Sequence, residues 1–332
     1  YVGADGAALT PSLQRPSEAH LWGQRAGDGL SLASLVAPDA GAPTRARATP
    51  KAVEALGRTV YDVPHEPRPW GRRVGAYLWT KSIAAGAALI AGLGTLAGWP
   101  PASGLALPAV ALVLLLATTI LLVTDLKRPD RFHYIILKPN PRSWLVWGAW
   151  ILMAFGLVAG LWFLASLAGR SAVLLVLAVP LIALALAAAG YSAFLFAQAE
   201  GRDFWQSPLV LPHLLVAAVI AGAAAALLTH APSAALRGLC LTGLGANLLL
   251  ILAELFTPHA NVDAAAAARL ITHGSRRHRF WGEVVVLGHL IPALLLLPAL
   301  PLTARIASLL VLAGLYRWEA CWVEAGQAVP LS

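Results

Sequence analysis

The chain has 332 residues, of which 58% are hydrophobic and only 12% charged, and its mean hydropathy is +0.71. Soluble domains carry roughly 25% charged residues, so this composition excludes an ordinary soluble protein and indicates a chain that crosses a membrane several times. The formal charge of +8 comes from basic residues that flank apolar runs. They form no single stripe interleaved with aromatics, which excludes a nucleic-acid-binding face.

Residues 1–70 are polar, rich in Pro, Gly and Ala, and show no sustained helical or strand period. They read as an extended or partly disordered arm. The segment Tyr61-Asp-Val-Pro-His-Glu-Pro-Arg-Pro-Trp70 has the aromatic and proline content of a strap along a partner subunit. From residue 71 to 332 the chain reads as one membrane domain. Eight apolar runs follow each other, at 74–98, 102–124, 143–168, 172–198, 208–229, 234–256, 281–300 and 304–323. Each is near the twenty or so helical residues that about 30 Å of hydrocarbon requires. The expected class is therefore an all-α integral membrane protein with eight transmembrane helices and a polar N-terminal arm. Cys240 and Cys321 lie in separate apolar runs. They are expected to pack as small apolar side chains, and no metal site is expected on this chain.

An even number of spans places both termini on one side, with the connections 125–142, 199–207 and 257–280. That side carries the arm, Lys127, Arg128, Arg131, Lys138, Arg142, Arg202, Arg269, Arg276, Arg277 and Arg279; the other has only Arg170, Arg237 and Arg305 nearby. By the positive-inside tendency the richer side is cytoplasmic, at the cell inner membrane.

Polar groups within the spans share this asymmetry. Lys81, Asp125, Gln198, His213, Glu254, Glu283, His289, Glu319 and Glu324 all fall in the half of the membrane toward that side, because alternate spans reverse direction. Burying a charge in lipid costs several kcal/mol, so such residues usually face a protein interior and mark a site. The alternative for Glu283, Glu319 and Glu324 is snorkelling to the interface. Most of the tryptophans lie on the same side, among them Trp79, Trp144, Trp147, Trp150, Trp205, Trp281, Trp318 and Trp322. A polar, aromatic-rimmed cleft open to lipid suits a flat ring with two carbonyls and an isoprenoid tail, that is, a quinone. Its reduction takes up two protons, which gives nearby Lys, His and carboxylate groups a use. His213 and His289 could instead ligate a b-type haem.

The most crowded connection is 125–142, with Asp125, Arg128, Arg131, His133, Tyr134, Lys138, Asn140 and Arg142 among three prolines. The stretches Leu126-Lys-Arg-Pro-Asp-Arg-Phe-His133, Leu137-Lys-Pro-Asn-Pro-Arg-Ser143 and Trp147-Gly-Ala-Trp150 resemble the signature loop of the polysulfide reductase membrane-subunit (NrfD-like, PsrC-like) family. Tyr77-Leu-Trp-Thr-Lys-Ser-Ile-Ala-Ala-Gly86, Tyr191-Ser-Ala-Phe-Leu-Phe-Ala-Gln-Ala-Glu-Gly201 and Phe204-Trp-Gln-Ser-Pro208 are also similar to that family. The resemblance runs from about Tyr77 to the C-terminus. It implies two four-helix bundles, no haem or metal on this chain, and an exchangeable menaquinone or ubiquinone near the face that docks a ferredoxin-like iron–sulfur subunit. The docked protein in turn joins a catalytic one, commonly a molybdenum enzyme.

Carried onto this sequence, the family's polar first-span positions fall on Tyr77, Trp79 and Lys81, and Tyr191 is a further lining residue. Together with Asp125, His213, Glu254, Glu283 and His289 they form the expected quinone-binding and proton-handling set. Arg128, Arg131, His133, Tyr134, Lys138, Asn140 and Arg142 form the expected partner-docking set, on a loop that covers the pocket. In relatives whose catalytic subunit is exported the docking face is periplasmic, and that alternative stays open here. The expected function is a quinone-interacting anchor of a multi-subunit oxidoreductase. The rival is an ion- or proton-translocating subunit, for which the apolar far half offers no evident continuous path.

Overall fold

A computed structural model describes residues 70–99, 102, 104–126, 132–199 and 201–329. The arm before Trp70 lies outside the described residues, as do Arg128, Arg131 and Glu200. Among the described residues there are no strands, and eight helices are long and apolar enough to span a membrane. They are α1 (Arg72–Leu96), α2 (Ala106–Asp125), α4 (Trp144–Leu167), α5 (Ser171–Ala197), α6 (Val210–Thr229), α7 (Ala234–Phe256), a π-helix (Arg279–Leu290) that continues as α9 (Ile291–Leu296), and α10 (Pro301–Ala328). Among the described residues three short helices lie in connections: the single turn α3 (Tyr134–Leu137), a 3₁₀ turn (Asp203–Gln206) and α8 (Val262–Thr272).

The ends are set by local chemistry. On the side of the short connections, α1 and α4 stop in the same way. Trp99 N donates to Gly94 O and Gly98 N to Thr95 O; Arg170 N donates to Ala165 O and Gly169 N to Ser166 O. These are Schellman closures, and they need a left-handed residue, which Gly98 (φ +70°) and Gly169 (φ +65°) supply. The Ser233 hydroxyl caps α7 by accepting from Leu236 N, and Asn261 Oδ1 caps α8 by accepting from Ala264 N. The last span runs past the apolar stretch to Ala328. Glu324 and Gln327 interrupt hydropathy but not the helix, because Arg276 and the Trp70 backbone satisfy them.

Helices α1, α2, α4 and α5 close one ring of neighbours, and α6, α7, the π-helix with α9, and α10 close a second. These are the two four-helix bundles the family resemblance implies. The bundles meet where α1 packs on α6 and α10. Gly86 and Gly222 let α1 and α6 touch backbone to backbone: a Cβ on Gly86 would lie 2.0 Å from Ala218 O. Small residues at helix crossings permit this approach, which dispersion between helices then rewards.

At the end that carries the 125–142 connection, an aromatic plug ties the bundles together. Trp70 stacks on Trp205 at 4.5 Å, and Phe196 stands edge-on to both. Gly326 leaves room for the Trp205 indole; a Cβ there would lie 2.1 Å from Nε1. The Arg202 guanidinium donates to Gly326 O and Val329 O at 3.1 and 3.2 Å.

Candidate functional site

Helix α1 carries Tyr77 and Lys81 four residues apart, so both face the same side. Lys81 is 1% exposed. Its ammonium donates to Ala189 O and Ser192 Oγ of α5, both at 2.8 Å, and lies 4.7 Å from the Tyr191 ring centroid. Tyr191 can sit there because α4 offers Gly148, where a Cβ would come within 2.2 Å of the tyrosine ring. Both acceptors of Lys81 are neutral. Glu319 of α10 is likewise buried, at 3% exposure.

Across the seam the second bundle continues the polar line. Glu319, His213 and Glu254 are all buried. Trp322 Nε1 donates to Glu254 Oε1 at 2.8 Å, and the His213 ring lies 5.6 Å from that of Trp318. Among the described residues, neither nitrogen of His213 has a hydrogen-bond partner, nor has Glu319 Oε1. Each such orphan costs about 1–3 kcal/mol if left dry. Deeper still, His289 Nδ1 lies 2.8 Å from Val284 O and Nε2 lies 3.0 Å from Asn247 Nδ2. A carbonyl only accepts, so Nδ1 carries the proton and Nε2 accepts from the asparagine amide. His289 closes the π-helix, whose wider i to i+5 spacing often marks functional segments.

The remaining expected site residues lie apart from this line. Trp79 braces α1 against α10, with Nε1 donating to Leu312 O at 2.8 Å. Asp125 ends α2 beside Arg73, which donates to Thr124 O at 2.7 Å. Glu283 pairs with Arg317 at 2.7 Å, both partly exposed, and Glu324 pairs with Arg276 and Arg279 at 3.4 and 3.5 Å. Glu283 and Glu324 are thus rim residues, as snorkelling predicts. Glu319 is not, at 3% exposure.

The connection before α4 presents the side chains of the expected docking set outward. His133, Tyr134, Lys138, Asn140 and Arg142 are all exposed. Lys138 lies over the Tyr134 ring, and Asn140 Oδ1 accepts from Arg142 N at 3.1 Å. Gln198, at the end of α5, staples the loop at both faces of its amide: Oε1 accepts from Trp144 N at 2.8 Å and Nε2 donates to Arg142 O at 2.7 Å. Phe132 and Ile135 of the same loop roof a cavity of about 320 Å³ between α2 and α4. Its walls include Leu115, Leu122, Leu152 and Met153, and Thr119 is the one polar side chain that lines it among the described residues. Leu116 and Met153, 62% and 47% exposed, mark its open side, which faces lipid.

The polysulphide reductase NrfD family matches residues 63–330. The chain belongs to that family. It is also 28% identical over 135 residues to a protein of Halobacterium salinarum described as a putative membrane subunit of dimethyl sulfoxide reductase. That match covers 34% of this chain and 31% of the relative.

Within this NrfD-family chain, several residues of the polar line were not singled out from sequence as site residues. Ser192, Glu319, Asn247 and Trp322 are the main ones. Helical phase carried the signal for Glu319: Val311, Leu315, Trp318, Glu319 and Trp322 are buried at the i, i+3, i+4, i+7 spacing of one inward face. Gln198 gave no such signal, because only the folded loop brings residues 142 and 144 to it.

Proposed function

We propose that this chain is the quinone-interacting membrane subunit of a multi-subunit oxidoreductase. It exchanges electrons between menaquinone or ubiquinone and an iron–sulfur partner subunit, and through that partner with a catalytic one. The observation that carries this reading is the lipid-open cavity of about 320 Å³ beneath the docking loop. Ligand pockets of small molecules begin at about 300 Å³ and are mostly apolar; α2 and α4 offer apolar walls with the Thr119 hydroxyl as the polar group, and none of the expected quinone-binding side chains lines them. The cavity takes a ring and the start of a tail, and the rest of the tail lies in the bilayer. The roof over it is the loop whose exposed His133, Tyr134, Lys138, Asn140 and Arg142 meet the partner, so a docked cluster is brought close to the ring. The basic excess on that face favours a cytoplasmic orientation. The family and the Halobacterium relative agree with a membrane-subunit role.

A protein with one long polar path through both leaflets would favour ion translocation. Here the buried polar pairs run from the docking end to Asn247 and His289 at mid-span. Beyond them, Ser308 is satisfied by its own helix, donating to Ala304 O at 2.8 Å. The haem alternative has little support, since both ring nitrogens of His289 are engaged.

The test is to fill the cavity in the assembled complex. Ala149→Phe is expected to lower quinol turnover by about tenfold, equivalent to ~1.4 kcal/mol, with electron transfer to a soluble dye retained. Equal loss of both activities, or unchanged quinol turnover, overturns the reading.

A further inference from the structure

We infer that the outer face of α10, beside the start of the π-helix, holds the headgroup of an anionic phospholipid, with its phosphate between Arg279 and Arg317. The site is separate from the cavity between α2 and α4 and does not depend on the quinone reading.

The π-helix and α10 touch backbone to backbone at Gly288 and Gly314, where a Cβ on Gly314 would lie 2.3 Å from Gly288 Cα. About one turn further along α10 there is room. A cavity of about 120 Å³ is lined by Arg279, Tyr316, Arg317, Ala320, Cys321 and Glu324. One buried water needs only about 10–15 Å³, so this space takes a larger group. A wider cavity of about 400 Å³ shares Arg279 and Glu324 with it and adds Gly71, Ser275, Arg276 and Gln327 among its walls. Because they share two lining residues, the two cavities adjoin and make one polar trough.

The trough is short of acceptors. Three guanidiniums, those of Arg276, Arg279 and Arg317, meet two carboxylates, those of Glu283 and Glu324. Arg317 reaches Glu283 through Nε at 2.7 Å, which leaves its two terminal nitrogens for another acceptor. Arg279 has an ion pair with Glu324 at 3.5 Å and donates no hydrogen bond among the described residues. A guanidinium carries five N–H donors in a planar fork that matches a phosphate group. A phosphate in the smaller cavity fills both forks, and a polyol head extends into the larger one beside Ser275.

Depth in the membrane selects a lipid as the source of that phosphate. Arg317 lies about three turns before the end of α10, inside a span, yet its side chain is 49% exposed. On the same face of α10, Ile306 and Ala313 are exposed, and Leu309 is close by at 59%. Acyl chains cover those positions, and an acidic polypeptide docked at the surface does not reach them. Trp79 and Tyr316 meet edge-on at 5.8 Å, and Trp281 is 42% exposed. Such rings mark the headgroup layer. Basic pockets between transmembrane helices are known sites for anionic headgroups.

Native mass spectra of the intact complex, extracted from its membrane and offered phosphatidylglycerol or phosphatidylcholine with the same chains, test this. Phosphatidylglycerol is expected to bind about tenfold more tightly. Arg279→Gln is expected to remove that preference. Glu283→Gln/Arg317→Gln, which deletes an ion pair without leaving a lone charge, is expected to do the same and serves if the first variant does not assemble. Arg277→Gln alters an exposed neighbour outside both cavities and is expected to change nothing. Equal binding of the two lipids, or an equal loss in Arg277→Gln, overturns the site. Displacement of the lipid by millimolar inorganic phosphate assigns the arginines to a free anion. Lipid bound only after the other subunits are stripped away assigns them to an acidic partner segment. Either of these results also overturns the proposal.

Discussion

Two regions of this protein invert the rule familiar from soluble folds. Helices α2 and α5 are the most apolar, with mean hydropathies of 2.7 and 2.8, yet only 28% and 33% of their apolar windows are buried in the protein. Helix α1 has a mean hydropathy of 1.3 and is 89% buried. Lipid tails are as apolar as leucine, so a leucine face gains nothing by hiding from them. A lysine, a threonine pair or a carboxylate does, because hydrocarbon offers no hydrogen bonds. Thr80 and Thr118 show this, with hydroxyls paired at 2.8 Å inside the first bundle. Helix α6 is the intermediate case, at 2.2 and 72% buried, and it is buried because alanine and glycine let α1 come close. Low hydropathy and small side chains, not high hydropathy, mark the centre of this molecule.

The sharpest way to break that comparison is at the α1–α6 crossing. Gly86→Leu drives a side chain into the α6 backbone and is expected to cost upwards of about 3 kcal/mol. Size-exclusion profiles in detergent should show loss of the folded species, whereas Val113→Leu on the lipid face of α2 leaves the profile unchanged. Next comes Trp205→Ala, which removes the centre of the aromatic plug. A loss of about 3–5 kcal/mol is expected, read as a fall in thermal stability. Gln198→Ala breaks two hydrogen bonds of the loop staple at about 1 kcal/mol each. Hydrogen exchange should quicken at residues 142–147 and partner retention should weaken, with little change in melting. The smallest effect is expected for Leu116→Ala on the lip of the cavity, within about 0.5 kcal/mol, because lipid replaces the lost contacts. A larger loss there would mean that α2 packs against protein on that face.

Much of this was legible in residue order. The eight spans, the loop between residues 125 and 142, and the crowding of ionisable groups into one leaflet follow from hydropathy and the reversal of direction at each span. Lys81 was recognisable as a buried cation because nothing that deep in a span can stay in lipid unpaired. What could not be read was which of the polar residues share a line. Glu283, Glu319 and Glu324 look alike in sequence, all near the ends of the last two spans. Only the phase of α10 against α1 and α6 turns Glu319 inward, while Glu283 and Glu324 reach arginines at the rim.

The sequence by itself determined that the chain crosses a membrane eight times, that its ionisable span residues gather in one half of the membrane, and the family to which it belongs. These depend on composition and spacing along one chain, and each is a property of single helices. The tertiary structure alone decided that Glu319 turns inward, that His213 lines a water-sized space, and that Phe132 and Ile135 line an apolar cavity with α2 and α4. Those depend on how helices distant in sequence are rotated and pressed together. That rotation is set by glycine contacts and ring packing whose partners lie many tens of residues away.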